Sequence, residues 1–361
     1  MIGYAKYLLP ISTRSPIYLI HFVTSKCMGR CLHCFYWKEI NRPENPLTPS
    51  EVHRVALSMG PILQLLLTGG EPYLRPDFDD LVRAYYRARP PFNIGIATSG
   101  YHTQRIVRSA ETLIHDCPRS NIIYGLPIEG IGEENDRIRG VKGFFQRTTE
   151  TLRELKRLKS SLSPSNADRF TLLVDITLSS FNQEHFEETY HYIRDIMRPD
   201  AINLIITRGQ TRDRSAPHLD ISAYERVSLK LENDIKSGLW KGYSRYSKMI
   251  DAKDLVLRKT AAQIHKGKGP YYPCAAGKII GVLGPEGDIH GCEMLLSSFG
   301  NVREVNYDLT RIWLSPEAKR FRKKISGQKC RCFHQCFLSP SIFFNPIGLS
   351  RIICEWLRIL I

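Results

Sequence analysis

No apolar run in this chain reaches the roughly 20 residues that a bilayer-spanning helix needs, so no such helix is expected. The opening residues, Met1-Ile2-Gly3-Tyr4-Ala5-Lys6, lack the layout of a secretory signal. Internal repeats and low-complexity linkers are missing too, which excludes solenoids and repeat arrays. Acidic residues are in deficit: 36 Asp and Glu face 51 Lys and Arg, a formal charge of +15. Such a surface repels cations and attracts anions: acidic lipid head groups, phosphorylated molecules or nucleic acid. No RNA-binding module signature accompanies the charge, so nucleic acid is not the expected partner.

What the chain does have is cysteine. Ten are present, most at short spacings. In a chain without an export signal, that pattern favours metal ligation over disulfides and a reducing, cytoplasmic setting. Cys27, Cys31 and Cys34 fall within one short stretch. Three thiolates there can converge on one metal centre. A cubane iron–sulfur cluster takes four cysteines, so three leave one iron open to another ligand. A second group lies far downstream: Cys274, Cys292, and the run Cys330-Arg331-Cys332-Phe333-His334-Gln335-Cys336. It supports one further cluster, or a structural zinc site that His334 would complete. Cys117 reads as a core residue.

Short apolar runs alternate with helical patterns. Ile17–Val23, Ile62–Leu67, Phe92–Ala97, Ile122–Ile128, Phe170–Leu178 and Ile202–Thr207 read as strands. Thr48-Pro49-Ser50-Glu51 is a capping box with proline at the first helical position. Phe144–Lys159 and Gln183–Met197 carry helical periodicity. Six strand–helix units predict a parallel sheet with right-handed crossovers, either doubly wound or an incomplete barrel. Notable residues follow successive strands: the cysteine loop, then Thr68-Gly69-Gly70-Glu71-Pro72, Thr98-Ser99-Gly100 and Glu129-Gly130. Loops at the carboxyl ends of parallel strands are where such folds carry function. Further on, Ser222–Lys236 reads as a helix, Val282–Leu283 and Ile289 as a hairpin about Gly284–Gly287, and Pro316–Ile325 as a basic helix. The tail Leu349–Ile361 is amphipathic; it is expected to pack on the domain, with peripheral membrane contact as the alternative.

The C-x3-C-x2-C spacing of Cys27, Cys31 and Cys34 resembles the signature of the radical SAM enzymes. Gly69-Gly70-Glu71, one unit later, is similar to that family's Gly-Gly-Glu motif. Glu129-Gly130…Asn135-Asp136-Arg137-Ile138-Arg139-Gly140 is similar to a segment of members with cysteine-rich extensions. Three departures stand out: Pro127 for a usual serine, Glu129 for aspartate and Ser99 for asparagine. The downstream cysteines resemble the SPASM and Twitch auxiliary-cluster domains.

The resemblance implies an incomplete parallel (β/α)6 TIM-like barrel with a small cysteine-rich C-terminal extension. The expected limits are a core over 15–215, a helical connector over 216–265, the cysteine-rich domain over 266–340 and the tail over 341–361. It implies a [4Fe-4S] cluster on Cys27, Cys31 and Cys34 that reductively cleaves S-adenosylmethionine to a 5′-deoxyadenosyl radical. Gly69, Gly70, Glu71, Ser99, Arg139, Thr177 and Asn182 would line the S-adenosylmethionine site. One auxiliary iron–sulfur cluster would draw its ligands from Cys274, Cys292, Cys330, Cys332 and Cys336. A reductant such as ferredoxin or flavodoxin is implied. The substrate expected first is a ribosomal peptide, then a lipid or phosphorylated small molecule. A zinc-stabilised RNA-binding protein is the non-enzymatic alternative.

Overall fold

In a computed structural model of the chain, the described residues are 14–240, 242, 247–295 and 297–360. The opening residues Met1–Lys6, Ile361 and part of the basic stretch after Lys236 lie outside them. Each of the six expected strands forms: β1 (Tyr18–Thr24), β2 (Gln64–Gly69), β3 (Asn93–Ala97), β4 (Asn121–Pro127), β5 (Phe170–Leu178) and β6 (Ala201–Ile206). They are mutually parallel and neighbours in chain order. Period-two alternation explains their two faces. On β5, Leu172, Val174, Ile176 and Leu178 are buried, while Leu173, Asp175 and Thr177 between them are half-buried and line the inner side.

Helices cover the outer face. They are α1 (Pro49–Ser58), α2 (Phe78–Ala88), α3 (Thr103–Asp116), α4 (Glu133–Arg139), α5 (Phe144–Ser161), α6 (Pro164–Asp168), α7 (Phe186–Tyr192) and α8 (Ile221–Lys236). The capping box of α1 is present in both directions: Thr48 accepts from the Glu51 amide, and Glu51 accepts from the Thr48 amide. The helix expected over Gln183–Met197 begins later, and its last turn, Ile193–Met197, widens to a π-helix.

β6 does not pair with β1, so the wall stays open. The sheet continues past β1 instead. After α9 (Ser247–His265), β7 (Ile280–Leu283) joins β1 in parallel. β8 (Asp288–His290) and β9 (Ser298–Asn301) follow antiparallel. The expected hairpin is β7–β8; β9, a short piece with glycine in it, was not anticipated. The extension therefore shares one nine-stranded sheet with the core. After α10 (Leu309–Trp313) and α11 (Pro316–Gly327), α12 (Gln335–Phe343) closes over the β6 edge. Its Gln335 side-chain amide donates to the Leu204 carbonyl, which also accepts from Tyr224 of α8 at 3.2 Å.

The tail forms α13 (Pro346–Leu360), which buries Ile352 and Glu355. Glu355 faces Lys236 at 3.8 Å and Arg358 at 3.3 Å. The tail thus packs on the domain along the face of Ile352 and Glu355, while Ile347, Ile353, Leu357 and Leu360 on its other side stay exposed. No single described helix is long and apolar enough to cross a membrane.

Candidate metal centres and cofactor site

The three-cysteine loop leaves the end of β1 and is held on three sides by backbone. On one side, Gly70 N–H donates to Thr24 O at 2.8 Å and Glu71 N–H to Lys26 O at 2.7 Å. That approach leaves no room for side chains. A Cβ on Gly69 (φ +123°) would sit 2.5 Å from Thr24 O, and one on Gly70 would fall on Lys26 O. On the second side, Arg30 and Leu32 donate to the carbonyls of Arg139 and Ile138 at 3.0 and 2.9 Å. On the third, Arg212 and Asp213, beyond β6, donate to Cys34 and Leu32 at 3.0 and 2.9 Å. Gly29 lies inside the loop, where a Cβ would touch the sulfurs of both Cys27 and Cys31 at 3.4 Å. Burial pushes the Cys27 thiol up to about 12 and the Cys34 thiol up to about 11. Three such thiols on one braced loop, with Gly29 between two of them, fit a cluster with one open iron.

Glu71 is buried, and its carboxylate is used within the protein. It accepts from Thr98 Oγ1 at 2.7 Å, from Ser99 N–H at 2.7 Å and from Tyr73 N–H at 3.0 Å. Ser99 thus takes part through its backbone, bracing the acid. Arg139 comes from the end of α4. It stands over the Phe144 ring at 4.9 Å and donates to Glu129 at 3.2 Å, while its Nε is buried without a partner. Burial opposes its charge, but Cys31, Glu129 and Cys27 nearby outweigh that and raise its pKa.

Glu129 ties the site together. Its carboxylate meets Arg139, the Thr177 N–H at 2.8 Å and His33 Nε2 at 3.4 Å. Burial raises its pKa against the pull of Arg139, and burial lowers that of His33 to about 3, leaving the imidazole neutral. Asn182 donates to the carbonyls of Glu129 and Thr177 at 2.8 and 3.0 Å and accepts from Ser179 N–H at 2.8 Å. It holds the strand end in place, and its amide is occupied in doing so. Thr177 lies on the half-buried inner face of β5.

Deeper in, Asp175 accepts from Asn203 at 2.9 Å, and burial lifts its carboxyl to about 6. Gly125, on β4, makes room for it: a Cβ there would lie 2.6 Å from Asp175 Oδ2. Arg208, after β6, stacks on Phe35 at 4.9 Å, and its Nε is buried without a partner. His33, Asp175, Arg208 and Glu293 were not legible as site residues. Lone polar residues on strands and loops carry no spacing signal.

The downstream cysteines divide into two sets. Cys274 shares a hydrogen bond with Cys330 and feels Cys332; Cys332 in turn feels Cys292 and Cys330. Cys274, Cys330 and Cys332 line one small cavity with Tyr271 and Phe337. The Met294 amide points at Cys292 Sγ at 3.4 Å, and the His334 amide at Cys332 Sγ at 3.1 Å. Four thiols with N–H donors suit an iron–sulfur cluster. Cys336, the fifth expected ligand, faces Glu293, Arg208 and Asp175 instead. It lies after the turn into α12, which aims it inward. Cys117 is buried in the core and Cys354 is exposed on α13.

Comparison with known proteins agrees with this geometry. The radical SAM superfamily profile matches residues 22–198, and SPASM, an iron–sulfur cluster-binding domain, matches 272–337. An AdoMet-dependent heme synthase of Methanosarcina barkeri is 25% identical over 336 residues, covering 89% of this chain and 88% of the synthase. A GTP 3′,8-cyclase of Nautilia profundicola is 36% identical over 94 residues, 24% of this chain and 28% of the cyclase. Among solved structures, native anSMEcpe with bound AdoMet superposes with a TM-score of 0.62 at 15% identity, covering 95% of this chain and 98% of the other. Streptococcus suis SuiB bound to S-adenosylmethionine gives 0.60 at 16%, covering 85% and 68%. At such identities the structural likeness speaks for the fold.

Proposed function

Because this chain belongs to the radical SAM superfamily and carries a SPASM iron–sulfur domain, we propose that it abstracts hydrogen from a carboxylate-bearing small molecule of the tetrapyrrole class. It is an enzyme that uses a [4Fe-4S] cluster, S-adenosylmethionine and an auxiliary cluster. The bound cluster supplies the electron that cleaves S-adenosylmethionine and releases the radical. The rest is the work of this chain's residues. Cys27, Cys31 and Cys34 hold the cluster on a loop that Gly69, Gly70 and Gly140 keep from shifting. Arg139 offers its unpartnered Nε to a carboxylate beside that loop. Glu71 and Ser99 fix the neighbouring strand ends and Glu129 orients Arg139, while burial keeps His33 neutral. The half-buried face of β5, with Asp175 and Thr177, lines the chamber that shields the substrate. Ferredoxin or flavodoxin is the proposed reductant.

The observation that carries the chemistry is the braced three-thiol loop next to the free edge of Arg139. The substrate class rests on the heme-synthase relative, whose alignment runs nearly end to end, and on the guanidinium of Arg208 near Asp175. Family membership removes the ground for the zinc-stabilised RNA-binding alternative. Peptide maturation rests on likeness of fold alone. The test is anaerobic turnover with S-adenosylmethionine and dithionite in the presence of iron coproporphyrin or of model peptides. A rise in 5′-deoxyadenosine and a mass change with the porphyrin are expected. A response to peptide alone would move the assignment to peptide maturation.

A further inference from the structure

The auxiliary cysteines outnumber the positions of one cluster, and the surplus one is not idle. Cys336, His334 and Glu293 offer a sulfur, a ring nitrogen and a carboxylate oxygen that all lie within 4.8 Å of one another. His334 Nε2 stands 2.5 Å from Glu293 Oε2. His334 is 1% exposed, and its other nitrogen, Nδ1, is buried without a partner. An unsatisfied buried nitrogen destabilises the fold unless something takes it. The Glu293 side chain is 3% exposed, with Arg208 at 3.9 Å. Tyr18 at the start of β1 and Asp175 on β5 are electrostatic neighbours of Cys336. The triad thus lies next to Asp175 and Arg208 of the chamber, and none of its three residues lines the cavity of Cys274, Cys330 and Cys332.

We propose that Glu293, His334 and Cys336 form a mononuclear site for a divalent ion of the zinc type, separate from both clusters. A mixed nitrogen, oxygen and sulfur set of three protein ligands suits tetrahedral zinc with its fourth position open. Donors bound to one such ion lie about 3–4 Å apart, so small rotations of the three side chains close the site. The two anionic ligands offset the charge of the ion inside the fold. Arg208, stacked on Phe35, lies 3.9 Å from Glu293 and so adjoins the site. Together they make an anion clamp, and its use on a substrate carboxylate rests on the function proposed above; the ion site itself does not.

The test is zinc binding to the anaerobically reconstituted full chain, after one equivalent of zinc and desalting. Iron and zinc are counted, and X-ray absorption at the zinc edge reads the ligands. One retained zinc is expected, alongside the iron of two clusters, with one sulfur at about 2.3 Å and nitrogen or oxygen at about 2.0–2.1 Å. Cys336→Ala and Glu293→Gln should each lower zinc affinity at least tenfold while iron is unchanged, and retained iron shows that the variants fold. Three results would overturn the site: no retained zinc, zinc bound by four sulfurs, or iron lost by one whole cluster in Cys336→Ala. The last would make Cys336 a cluster ligand. None of these readouts depends on substrate turnover, so the site and the substrate class fail independently.

Discussion

Gly70 shows how a single residue sets the geometry of the reactive loop. A side chain there would fall on Lys26 O, a backbone atom that cannot swing aside. Gly70→Ala should cost about 1–3 kcal/mol of stability, typical of overpacking. Because the strain falls on the cysteine loop, it should lower the iron bound there, read by metal analysis and thermal unfolding. Arg139→Lys keeps the charge and loses the planar fork. With a charge-assisted bond worth about 1.5–3 kcal/mol, the KM for S-adenosylmethionine should rise about tenfold or more while iron content holds. The cysteines and Gly69-Gly70-Glu71 were legible in the sequence because their spacing is local. Glu129 was legible only as a departure, an acid in place of a shorter one. Its partners His33, Arg139 and Thr177 are brought to it by three separate elements, and no pattern along the chain announces that meeting.

Among the elements, α1 joins core to extension. Glu51, already capping α1, accepts from Arg303 at 2.7 and 3.1 Å and from Tyr307 at 2.9 Å. Chiefly through Arg303, its pKa is lowered to about 2. A depressed carboxylate stabilises the fold above its unfolded value, near 4.5, and that contribution is lost as pH falls toward 2. Glu51→Gln should therefore cost about 1–2 kcal/mol at neutral pH, because charged hydrogen bonds are lost. The difference from the parent should vanish near pH 2, as followed by urea unfolding across pH. The six core strands were legible to within a residue or two, since period-two burial writes itself into the sequence. That β7 pairs with β1 was not legible. Both are plain apolar runs, and their meeting depends on the long intervening chain folding back. The same holds for α12, whose role is to close the β6 edge. Gln335→Ala leaves Leu204 O with Tyr224 alone. It should destabilise by about 1 kcal/mol, measurable by denaturant unfolding.

At the scale of the whole molecule, one sheet carries two cysteine centres, one at the end of β1 and one beyond β8. The extension is bonded to the core through β7, Arg303 and Gln335, so its cluster keeps a set position relative to the chamber. The central claim is that the Cys27, Cys31 and Cys34 loop holds the cluster that cleaves S-adenosylmethionine, while a second cluster sits apart from it. It is tested most directly by one paired measurement: iron per chain and 5′-deoxyadenosine after dithionite reduction, in the parent and in the Cys27→Ala/Cys31→Ala/Cys34→Ala variant. About eight irons and 5′-deoxyadenosine are expected in the parent, with about four irons and no 5′-deoxyadenosine in the variant. Continued cleavage by the variant, or a parent that binds zinc alone and leaves S-adenosylmethionine intact, would contradict it.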